Sequence, residues 1–100
     1  MVRLLLPAAL CLALAAPVPA PAQGAAGCAM QAGIADSLAA ARRAGQSEPA
    51  AVRAVTGALP PDAAVLRPAV PLLAQWIFSL TPAQLSEDVG AAYRDACLAQ

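Results

Sequence analysis

From residue 23 onward the chain has no stretch in which apolar and polar residues alternate with the period of a strand. Apolar positions instead recur at steps of three and four, so the chain is constrained to helices. Alanine, the strongest helix former, fills 29 of the 100 positions, so the 60% apolar fraction describes helix-forming filler more than a large core. The expected fold is all-α, a small bundle of about four helices closed by one disulfide, in a single domain over residues 23–100.

The first 22 residues read as an export signal rather than as part of that domain. A single positive charge at Arg3 precedes an apolar run, Leu4 to Ala16, interrupted by Pro7. That run is about 13 residues long, suited to a secretory signal and well short of the roughly 20 needed to span a bilayer. The prolines at 17, 19 and 21 break the helix and leave an extended segment, and Ala20-Pro21-Ala22 supplies the A-x-A pattern for cleavage after Ala22. No twin-arginine pair is present, which implies the general secretory route. The expected location is the periplasm or outside the cell, with no membrane span in the mature chain.

Cleavage removes Cys11 and leaves two cysteines, Cys28 and Cys97, near opposite ends of the domain. In an oxidising compartment such a pair is read as one disulfide. Closing a loop of about 70 residues is worth roughly 4 kcal/mol by chain entropy. A competing reading takes Ala25-Ala26-Gly27-Cys28 as the small-residue box before a lipid-modified cysteine, which would make the chain an acyl-anchored lipoprotein. The intervening Pro-rich stretch, Ala25 where leucine is preferred, and the orphaning of Cys97 all speak against it.

Local signals divide the mature chain. Met30, Ile34, Leu38 and Ala41 mark one face of a first helix, about Ala26 to Ala44, with Asp36 and Arg43 opposite and Gly45 as its stop. Ser47, Glu48 and Pro49 start a second helix that runs to about Ala58, with Val52, Val55 and Leu59 as its face. Pro60-Pro61 ends it, and Asp62 is expected to cap a short turn over Ala63 to Arg67. A third helix is expected from Pro71 to Ser79, because Val70 precedes a proline and is pushed out of the α region. Leu72, Leu73, Trp76, Ile77 and Phe78 occupy more than one of its faces, which predicts that it is the centre of the core. Thr81, Pro82 and Gln84 form a capping box between Leu80 and Leu85, starting a fourth helix whose face is Leu85, Val89, Ala92 and Ala96, with Tyr93 and Cys97 on its flank.

A Cys28–Cys97 bond lays the first helix antiparallel to the last. Ile34 should then meet the space between Val89 and Tyr93, and Leu38 the space between Leu85 and Val89. Gly90 in the interior of the last helix either permits close approach to Ala35 and Ala39 or reflects the general excess of small residues.

The pattern of Cys28, an Ala-rich helix, Arg42-Arg43-Ala44-Gly45-Gln46-Ser47, Trp76-Ile77-Phe78, Leu80-Thr81-Pro82 and Cys97 resembles a recurrent group of small exported bacterial all-α proteins with two cysteines. The resemblance spans most of Cys28 to Cys97 and implies no activity. Where that group is expected to carry an aromatic residue, commonly Tyr, near Phe78, this chain has Trp76 and Phe78.

Composition excludes several chemistries. Six arginines balance six acids, lysine is absent, and the only adjacent cations are Arg42 and Arg43, which argues against nucleic acid. Histidine is absent and the cysteines are far apart, so no metal or redox motif forms and no cofactor is expected. The serines and threonines have no histidine or lysine to activate them. Glu87, Asp88 and Asp95 resemble a solvated helix face more than a paired-carboxylate site. Phospholipid binding would want a basic amphipathic helix, and none exists. Four residues remain as possible contacts to a protein or small ligand. Arg42 and Arg43 either grip an anion or complement a helix dipole, while Trp76 and Tyr93 either meet a partner or fill the core. The chain reads as a non-enzymatic binding or structural module. An acid-stress chaperone, suggested by size, compartment and disulfide, is a further alternative.

Overall fold

The computed structural model describes residues 24–100. The expected export signal and its expected cleavage position lie outside the described residues. Those residues form five α-helices and one short 3₁₀ helix, with no strand among them. In chain order these are α1 (Ala25–Arg43), α2 (Glu48–Ala58), the 3₁₀ helix (Pro61–Leu66), α3 (Ala69–Ser79), α4 (Pro82–Leu85) and α5 (Val89–Leu98). None is long and apolar enough to cross a membrane.

Helix ends follow the local chemistry of the chain. Gly45 stops α1 with φ of 87°, and the Gly45 and Gln46 N–H groups return to the carbonyls of Arg42 and Ala41. This is a Schellman closure, which satisfies carbonyls that have no partner within the helix. Ser47 caps α2 by accepting from the Ala50 N–H at 3.3 Å. At α4 the box is reciprocal: Thr81 Oγ1 accepts from the Gln84 N–H at 3.2 Å, and Gln84 Oε1 accepts from the Thr81 N–H at 2.9 Å.

Three expectations about the elements are corrected. Val70 is helical although it precedes Pro71. Pro71 occupies the third position of α3, where the backbone N–H has no partner within the helix, so the missing donor costs nothing there. Asp62 does not cap the turn after Pro60-Pro61; it sits in the first turn of a 3₁₀ helix that begins at Pro61 and has no side-chain cap. The expected fourth helix is two. Ser86, Glu87 and Asp88 interrupt it, and Asp88 caps α5 by accepting from the Ala91 N–H at 3.1 Å.

That interruption resets the phase of the last helix. Ala92 and Ala96 are exposed, whereas Val89 and Gly90 are buried and Tyr93 and Cys97 half-buried. The centre of the core also differs from the expectation. α1 packs against α2, α3 and α5 and is the hub, while α3 buries Val70, Leu73, Ala74 and Ile77 on one side and leaves Leu72 67% exposed on the other. The stripe of α1 expected to face inward joins Val55, Leu73 and Ile77 in the core through Ile34 and Leu38, with Met30 and Ala41 partly buried against it. A second α1 stripe, Cys28, Ala32, Ala35 and Ala39, is buried as well. Its spacing of four, three and four places it on the helix face shared by Asp36.

Candidate functional site

The second stripe is where the two ends of the domain are joined. Cys28 and Cys97 form a disulfide with their Cα atoms 5.7 Å apart. From that bond the α1–α5 seam runs antiparallel, as expected. Tyr93 Oη donates to Gln31 Oε1, and one turn further along the Gly90 N–H donates to Asp36 Oδ1 at 2.9 Å. At the far end Arg43 Nη2 donates to the Leu85 carbonyl at 2.5 Å.

Asp36 and Arg43 are exposed, as expected of the face opposite the apolar stripe, yet each makes a hydrogen bond to another helix. Both point across the seam. A Cβ built on Gly90 would overlap the Asp36 carboxylate, which is the nearest side chain to that position. The side chain of Asp36 reaches the exposed N–H at the start of α5, where a helix presents unpaired donors and the positive end of its dipole.

Arg42 performs the corresponding task at a negative helix end. Its Nη1 donates to the Ile77 carbonyl at 2.6 Å, and its guanidinium lies 5.9 Å from the centroid of the Phe78 ring. Ile77 is in the last turn of α3, and its carbonyl accepts from the Leu80 N–H as well as from Arg42. Arg42 and Arg43 thus sit at the C-terminus of α1 and also serve the C-terminal carbonyls of α3 and α4. Each guanidinium gives one of its amino groups to a carbonyl of the protein, with Arg42 half-buried and Arg43 exposed.

Trp76 and Tyr93 are brought together, with ring centroids 6.0 Å apart and planes tilted by 44°. Both are half-buried and packed against the core. They form the rim of the core over the α3–α5 junction, each with an edge open to solvent. Glu87, Asp88 and Asp95 are exposed, and Asp88 is engaged as a helix cap. No charged side chain is buried among the described residues, and none of their Cys, Asp and Glu side chains gather into a group of three or more suited to a metal ion.

Two concavities among the described residues border α1. A cleft of about 510 Å³ opens between α1 and α2, with Gly33, Ile34, Ser37 and Ala41 on one wall and Val55 and Leu59 on the other. Its size falls within the range of small-ligand sites, and no charged residue lines it. A smaller notch of about 270 Å³ lies along the α1–α5 seam beside Asp36, Asp88, Gly90 and Arg94. The cleft was not foreseen from the sequence. Its signal was present in Gly33, Ser37 and Ala41, four residues apart on α1 beside the apolar stripe. Comparison with protein-family models, with curated proteins and with solved structures finds no match.

Proposed function

We propose that the chain is a small exported helical module, periplasmic or secreted, that binds or scaffolds another molecule and performs no chemistry of its own. The observation that carries this reading is the Cys28–Cys97 bond, which closes the domain end to end. Such a bond persists in oxidising compartments, and it agrees with the export pattern of the first 22 residues. The reading also places the chain with the small exported bacterial two-cysteine proteins that it resembles.

The absence of chemistry is inferred from what the polar side chains already do. Asp36, Asp88, Arg42 and Arg43 each hold a helix end, which leaves them committed to the fold. Binding of a small apolar ligand would use the α1–α2 cleft. The lipoprotein alternative requires the Cys28 sulfur for a thioether, and that sulfur is joined to Cys97.

Export is tested by fusing the full-length chain to a reporter enzyme whose own disulfides form only outside the cytoplasm. Reporter activity should require residues 1–22. Equal activity with and without them would refute the reading.

A further inference from the structure

The disulfide closes a helix that lies along α1 over the most extensive seam of the described residues but buries few residues of its own. Beyond Gly90, α5 buries no residue: Tyr93 and Cys97 are half-buried, while Arg94, Asp95 and Ala96 are exposed and Leu98 is 50% exposed. A helical segment of this length is unstable in isolation, since isolated helices shorter than about 12–15 residues are marginal in water. The N-terminal end of α5 has its own attachments in buried Val89, buried Gly90 and the bond from Gly90 to Asp36. Its C-terminal half has the Tyr93–Gln31 hydrogen bond, the Trp76 contact and the disulfide.

We infer that Cys28–Cys97 is a redox clasp: reduction by a dithiol releases α5 from Ala91 to Leu98 and leaves α1, α2 and α3 folded. The inference does not depend on where the chain resides. Cys28 is fully buried and Cys97 half-buried, so an attacking thiolate reaches the Cys97 sulfur. Attack forms a mixed disulfide at Cys97 and expels the Cys28 thiolate, which takes up a proton. The second thiol of the reductant then displaces Cys97, which leaves as a thiol; the protein bond gains two electrons and two protons, and the dithiol ends as a disulfide.

Release has a defined consequence for the surface. The end of α1 that carries Cys28 and Ala32 loses its cover, and the indole of Trp76 loses its Tyr93 neighbour. The reduced molecule presents an apolar strip that the oxidised one conceals.

Hydrogen exchange on the full-length chain, oxidised and then reduced with dithiothreitol, tests this. Amides of residues 91–98 should exchange at least about tenfold faster after reduction, while those around Leu38 and Ile77 change by less than about twofold. Iodide quenching of Trp76 should rise in parallel, and reoxidation should restore both signals. Cys97→Ser should show the reduced pattern without any reductant. Loss of protection throughout the domain, in either the reduced chain or the variant, would show that the bond holds the whole fold. Unchanged protection at 91–98 would show that packing holds α5, and either result overturns the clasp.

Discussion

At the residue scale, Gly90 and Asp36 are fitted to each other. In an isolated helix Gly90→Ala stabilises by up to about 1 kcal/mol, whereas a hydrogen bond to a charged group contributes roughly 1.5–3 kcal/mol. The added methyl would overlap the Asp36 carboxylate and force it off the Gly90 N–H. Gly90→Ala should therefore destabilise the wild-type chain by about 1 kcal/mol but be neutral or stabilising in an Asp36→Ala background. Urea unfolding of the four chains of that cycle measures the change of sign, and the same effect in both backgrounds would separate the two residues.

Thr81 and Ser79 provide a second contrast over three positions. Thr81→Ala removes the acceptor of a capping box and should cost about 1 kcal/mol. Ser79→Ala removes an exposed hydroxyl that bonds the Trp76 carbonyl within its own helix, and should cost at most a few tenths of a kcal/mol in the same urea assay. The Ser47 and Thr81 caps and the Gly45 closure were legible in the sequence because each depends on residues within five positions of one another. The partnership of Asp36 with Gly90 was not, because it spans 54 positions and becomes visible only when the seam is assembled.

At the scale of elements, the ends of α3 and α4 are held by the end of α1. Arg42 is half-buried, bonded to Ile77 and set over Phe78, whereas Arg43 is exposed. Arg42→Ala should cost about 2 kcal/mol and Arg43→Ala about 1 kcal/mol or less, since an exposed charged contact is weakened by solvent. Thermal unfolding of both variants checks the order, and an equal or reversed order would mean that the Ile77 contact contributes little. The extents of α1 and α2 followed from periodicity and punctuation. The division of the last helix did not, although Asp88 was an available cap, because the apolar positions on either side of the break looked continuous. Alanine hid the second face of α1 for a related reason. A residue that serves as helix filler gives no sign of the side on which a neighbour will lie.

At the scale of the whole molecule, the described residues pack α2, α3 and α5 around α1 as the hub, with α5 laid back along it and joined to its start by the disulfide. The all-α class and the bond that closes it could be read from the sequence, because two cysteines near opposite ends leave few arrangements for short antiparallel helices. The α1–α2 cleft could not, because its shape depends on the angle at which two helices leave the Gly45 turn. We propose that the chain is exported and then closed through Cys28 and Cys97. Intact-mass and peptide mapping of the protein recovered from the periplasm or medium tests both parts together. The expected product begins at Gln23, has the mass of the reduced chain less its two thiol hydrogens, and yields one peptide pair linked through Cys28 and Cys97. A chain that begins at an acylated Cys28, or one with two titratable thiols, would contradict it.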